Sequence, residues 1–101
     1  MTELWEYIDA NSGKWIEDIC RLVSWRSVTA ERNNVVACAK KLEGRLAELC
    51  SVTKQISTDG APLVFGEIRS KKEHAPTMLV YGHYDTQPSG DVEQWDSNPF
   101  Q

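Results

Sequence analysis

The sequence holds no apolar run approaching the ~18 residues that a membrane-spanning helix needs, so no transmembrane segment is expected. It has no basic stripe either. The formal net charge is −4, and the one local basic cluster, Arg69-Ser70-Lys71-Lys72, is followed at once by Glu73. A nucleic-acid binder needs a contiguous positive surface to displace counterions from phosphates, so that class is excluded. Cysteine is sparse. Cys20, Cys38 and Cys50 form no C-x-x-C pair, and the first residues, Met-Thr-Glu-Leu-Trp-Glu-Tyr, show no basic n-region followed by an apolar one. Three scattered thiols without a secretory signal fit a reducing, cytoplasmic setting with ordinary buried cysteines. Repeats and low-complexity segments are absent.

What remains is an ordinary globular composition of 101 residues, 41% hydrophobic and 26% charged. That is enough for one small domain. At 100° per residue, Leu4, Trp5, Ile8, Trp15, Ile16, Ile19, Leu22 and Val23 fall within one arc of roughly 120°, which predicts an amphipathic helix over about residues 3–24. Trp5 and Trp15 then read as core. Asn11-Ser12-Gly13 leaves the phase intact, and the alternative is a break there into two collinear pieces. Ser27-Val28-Thr29 reads as a connection, with Thr29 placed to cap a second helix over about residues 31–50. Val35, Ala39, Leu42, Leu46, Leu49 and Cys50 share one face of that helix. Residues 51–57 and 63–68, separated by a segment with an Asp-Gly signal, predict a hairpin. Thr77-Met78-Leu79-Val80-Tyr81-Gly82 has no polar alternation and predicts a buried strand covered on both faces. The expectation is an α/β layer of two helices, a hairpin and one buried strand, with an incomplete sheet.

His83 and Asp85 follow that strand at its carboxyl end, where open α/β sheets bind ligands. In extended chain, residues i and i+2 point to the same side, so both side chains can face one site. A neutral imidazole suits zinc, and a carboxylate on its other ring nitrogen fixes the tautomer. Alone, H-x-D is a weak signal, and a satisfied loop histidine is its bland reading. Tyr84 would point away and pack. His74 precedes the strand and reads as a surface histidine, while Asp91, Glu93 and Asp96 read as solvated loop acids.

The composite "LVYGHYDTQPSGDVEQWDSNPF" resembles the first metal-ligand segment of the M20 family of zinc metallopeptidases, most closely its dipeptidase branch of carnosine and cysteinylglycine dipeptidase-like enzymes. The order of elements fits along the whole chain, and residues 78–100 carry the specific motif. The resemblance implies that residues 1–101 are the N-terminal portion of a single zinc-exopeptidase-like catalytic domain. It implies His83 as a metal ligand and Asp85 as the active-site acid that orients it, with Trp95, Pro99 and Phe100 in the loop that follows. It further implies two Zn2+ ions, or Mn2+ or Co2+, a small peptide or N-acyl amino acid substrate, and room for a homodimer at full length. The family's bridging aspartate, its Glu-Glu pair and its further acid and histidine would lie beyond Gln101, so this stretch alone is expected to be inactive. Two other readings stand beside it. One is a non-catalytic short fragment acting as an interaction module, and the other is a small α/β binding domain whose H-x-D is incidental.

Overall fold

The computed structural model describes residues Met1–Gln101, and the chain divides into two compact units, Met1–Arg26 with Ser89–Gln101, and Ser27–Pro88. Its elements in order are α1 (Thr2–Val23), α2 (Arg32–Ala47), β1 (Val52–Ile56), β2 (Leu63–Glu67) and a 3-10 turn at Val92–Gln94. The fold is a mixed α/β arrangement whose sheet is incomplete, being one antiparallel pair.

In the first unit, α1 is a single unbroken helix. Asn11 and Ser12 are poor helix formers because their side chains compete for backbone groups. Here they turn that tendency inward. Asn11 Nδ2 donates to the Tyr7 carbonyl at 2.8 Å and Ser12 Oγ to the Asp9 carbonyl at 2.9 Å. The apolar arc exists as the periodicity predicts, but it is not core: α1 buries no residue, Trp5 is 56% exposed and Trp15 39%. Periodicity reports which residues share a face and is silent on whether anything covers that face. Trp15 meets the Tyr7 ring, 6.0 Å between centroids. At the other end of this unit the Trp95 indole donates to the Ser89 carbonyl at 2.9 Å, and the Arg26 guanidinium lies over the Phe100 ring. Asp91, expected as a solvated acid, caps the 3-10 turn by accepting from the Glu93 N–H.

The second unit holds the small core. Val28, Val35, Cys38 and Ala39 are buried, with Ser27 beside them. α2 packs across both strands of the hairpin through the face that carries Val35 and Ala39. Leu49 falls off that face and is exposed, because the helix ends at Ala47. The hairpin register pairs Val52 with Glu67 and Ile56 with Leu63. Its loop is held by Thr58, whose hydroxyl accepts from the Gly60 N–H and donates to the Ala61 carbonyl. Arg32 reaches from the first turn of α2 to the Gly60 carbonyl.

The buried strand expected at residues 77–82 does not form. The segment has no ladder partner, and Met78, Leu79, Val80 and Tyr81 are each 84–85% exposed. An apolar run becomes a central strand only when other strands satisfy its backbone on both sides. The one sheet here is the β1–β2 pair.

Burial pushes the Cys38 thiol up from its ordinary range, against the opposing pull of a Ser27 hydrogen bond and the Lys41 charge. The thiolate is the reactive form, so burial disfavours reaction at Cys38. Thiol labelling of the folded protein at about pH 8 should modify exposed Cys20 first and Cys38 last, with all three equal after unfolding. Equal rates for Cys20 and Cys38 in the folded protein would mean that the core is open. A raised thiol pKa also favours the folded state below the ordinary thiol range. That contribution is lost as pH climbs through the raised value, so it is intact at neutral pH.

Candidate functional site

His83, Tyr84 and Asp85 lie in the second unit, held by a clasp between two segments far apart in sequence. Val28 and Thr86 form an isolated parallel bridge. The Thr29 N–H donates to the Thr86 carbonyl at 2.8 Å, and the Thr86 N–H to the Ser27 carbonyl at 2.9 Å. The Ser27 hydroxyl donates to the Tyr84 carbonyl. Ser27 and Val28 are themselves buried beside Cys38 and Ala39, so the core of the second unit fixes one side of the clasp and the clasp fixes the other.

Alternation along this short stretch separates the side chains as the extended spacing predicts. Tyr84 turns inward, is half-buried, and donates its hydroxyl to the Pro62 carbonyl at 2.6 Å. Burial, with the charges of Cys38 and Asp85, pushes that phenol up from its ordinary range. His83 and Asp85 turn to the other side. His83 Nδ1 stands 2.9 Å from the Asp85 carbonyl oxygen and 3.2 Å from Asp85 Oδ1. Its side chain is 78% exposed, against 41% for Asp85.

The second carboxylate oxygen is also engaged. The Thr29 hydroxyl shares its one proton between Asp85 Oδ2 at 3.0 Å and the Thr86 carbonyl at 2.9 Å. That hydrogen bond is the main reason Asp85 is held below its ordinary carboxylate range, with the His83 contacts pulling the same way and slight burial opposing. A carboxylate favoured in the folded state contributes stability at neutral pH and loses it as pH falls through the lowered value. The contribution is small, because Asp85 is well exposed and solvent screens it.

Thr29 therefore does not cap α2, as its position in sequence suggests. Glu31 occupies the cap position, without a side-chain cap bond, and the Thr29 hydroxyl is spent on the clasp. The sequence signal was present in Ser27-Val28-Thr29, where the β-branched Val28 and Thr29 suit a one-residue bridge.

Chemically, two acceptors bracket Nδ1, so a neutral ring would carry its proton there and leave Nε2 as an outward lone pair. That is the form in which imidazole binds a transition metal. One such nitrogen is a fraction of a site. No group of three or more His, Cys, Asp or Glu side chains converges anywhere in the structure. His74 sits in an exposed turn at φ 57°, on the far side of the apolar segment in sequence. No helix is long and apolar enough to cross a membrane.

Comparison with known proteins returns relatives of much greater length. The chain is 35% identical over 83 residues to the succinyl-diaminopimelate desuccinylase of Nitrosomonas europaea, an alignment covering 78% of this chain and 19% of that protein. It is 28% identical over 116 aligned positions to the Cys-Gly metallodipeptidase of Schizosaccharomyces pombe, covering 99% of this chain and 24% of the relative. Over 36 residues, 36% of this chain and 7% of the relative, it is 53% identical to the Cys-Gly metallodipeptidase of Saccharomyces cerevisiae. The chain thus spans about a fifth of the length of the curated relatives it matches. No family model and no solved structure matches it.

Proposed function

We propose that residues 1–101 are the N-terminal portion of an M20-type catalytic domain, a metal-dependent amide hydrolase acting on dipeptides or N-acyl amino acids. His83 is read as a metal ligand and Asp85 as the acid that orients it. The observation that carries this reading is the His83–Asp85 pair, with Nδ1 bracketed by two oxygens on a side chain that is 78% exposed. The names of the relatives agree in chemistry: one removes a succinyl group and the other is called a metallodipeptidase of Cys-Gly.

The donor set fits a divalent ion as far as it goes. A neutral imidazole with a carboxylate behind it is a proper zinc ligand, and Mn2+ or Co2+ would accept it as well. When bound, a pair of such ions activates a water and polarises the amide carbonyl. The chain's own part is to present Nε2 and hold the ring still. A catalytic zinc site takes about three protein ligands plus water, so these residues alone are read as inactive, with the missing donors supplied by a longer polypeptide. Cytoplasmic location and a homodimer at full length belong to the same proposal.

Two measurements test it. Titration of the 101-residue chain with Zn2+ should perturb the His83 ring before His74, and His83→Ala should remove the response while His74→Ala leaves it. In the full-length protein, His83→Ala should abolish hydrolysis, and Asp85→Ala should lower metal affinity or activity about 10–100-fold. Full activity in either variant would sink the assignment.

A further inference from the structure

We propose that Thr29 is the positioning residue of this site, its hydroxyl setting the Asp85 carboxylate and, through it, the His83 ring that presents Nε2. The inference rests on the reading of His83 as a metal ligand and adds a residue that sequence spacing assigns to a helix cap.

Three observations carry it. The Thr29 hydroxyl has a single proton, and it lies between Asp85 Oδ2 at 3.0 Å and the Thr86 carbonyl at 2.9 Å, so it joins side chain and backbone of the H-x-D segment at one point. Thr29 is itself fixed, because its N–H donates to the same Thr86 carbonyl and its neighbour Val28 is buried. The other carboxylate oxygen faces His83 Nδ1 at 3.2 Å. The relay therefore runs from the buried Ser27–Val28 edge, through one hydroxyl, to a carboxylate bonded on both oxygens, to a ring nitrogen.

Asp85 and His83 are the exposed end of this relay. A side chain in water visits several rotamers unless a partner selects one. The β-branched Thr29 has few rotamers of its own and a backbone pinned by a bridge, so it selects at little entropic cost. A free imidazole has no comparable restraint on which nitrogen carries the proton. The backbone carbonyl of Asp85 also approaches Nδ1, at 2.9 Å, and could hold the tautomer without Thr29. The clamp predicts otherwise: only the charged oxygen fixes the ring plane, and that oxygen depends on Thr29.

The test is 15N NMR of the imidazole rings at roughly pH 8, where an ordinary histidine is neutral, on the unmodified chain, Thr29→Val and Thr29→Ser. Valine keeps the branched shape and the backbone bonds and removes only the hydroxyl; serine restores it. The expected result is an Nδ1–H tautomer and a single Asp85 χ1 in the unmodified chain. Both should be lost toward averaging in Thr29→Val and recovered in Thr29→Ser. Zn2+ affinity at His83 should fall about tenfold in Thr29→Val. An unchanged His83 tautomer in Thr29→Val overturns the proposal. So does an Asp85 χ1 already averaged in the unmodified chain, which decides the matter even if Thr29→Val fails to fold. If the tautomer responds to Thr29 but Zn2+ leaves Nε2 untouched, the clamp stands and the metal reading falls.

Discussion

Gly66→Ala is expected to destabilise the second unit by about 1–3 kcal/mol, the usual cost of forcing an extra methyl into a packed contact. Gly66 lies in β2 opposite Thr53, and a Cβ built there would stand 2.7 Å from Cys50 Sγ and 3.3 Å from Leu46 Cδ1. The first distance is shorter than side chains tolerate. Cys50 lies at the start of the hairpin and has one rotor, and its backbone N–H is bonded to the Leu46 carbonyl at 2.7 Å. The thiol must therefore swing out of its half-buried place, or β2 must lift from the end of α2. Thermal unfolding reads the loss as a fall of about 4–8 °C per kcal/mol in a unit of this size.

The reason is steric and local, so a second substitution should reverse it. In a Cys50→Ala background the nearest atom becomes Leu46 Cδ1 at 3.3 Å, the end of a flexible side chain that need give only a few tenths of an ångström, and the Cys50 Cβ position at 3.6 Å is an ordinary contact. The backbone at Gly66 is not in the left-handed region, so alanine meets no conformational strain there. The same Gly→Ala change should then be neutral, or stabilising by about 0.4–1 kcal/mol through the unfolded chain. Equal losses in the two backgrounds would show that the contact with Cys50 is not what excludes a side chain.

The second large effect concerns the apolar segment. Met78, Leu79, Val80 and Tyr81 stand almost fully in solvent, and the arc of α1 adds Leu4, Trp5, Ile16 and Ile19 to the exposed set. Isolated surface leucines are normal, but a run of four uncharged apolar residues without a proline is a pairing hazard. The 101-residue chain should bind a hydrophobic dye strongly and self-associate with rising concentration. Leu79→Lys with Val80→Lys should weaken both by placing like charges on the segment. The unfolding midpoint should stay put, since neither side chain is buried. A monomeric chain that ignores the dye would contradict the exposed segment, and a large drop in midpoint would mean that Leu79 and Val80 are packed after all.

These two cases mark where sequence reasoning reaches. A one-turn period of apolar residues produced α1 and α2 to within a few residues, and an Asp-Gly loop between β-branched runs produced the hairpin. Each is decided by neighbours three or four positions away, or by a short loop, so the signal is written locally. The H-x-D pair was legible for the same reason, being two residues apart on extended chain.

Burial was not legible in that way. Trp5 and Trp15 share the apolar arc yet stay exposed, and of three cysteines expected to be buried only Cys38 joins the core, while Cys50 is half-buried and Cys20 is exposed on a helix that buries nothing. Nor was the destination of Thr29, whose partners lie 56 and 57 residues further along the chain. By itself the sequence determined the helices, the hairpin and the chemistry available at His83 and Asp85. Only the tertiary structure decided which apolar groups are covered and which hydroxyl holds the carboxylate. Those outcomes depend on contacts across long loops, and such contacts leave no periodic trace in the residues that make them.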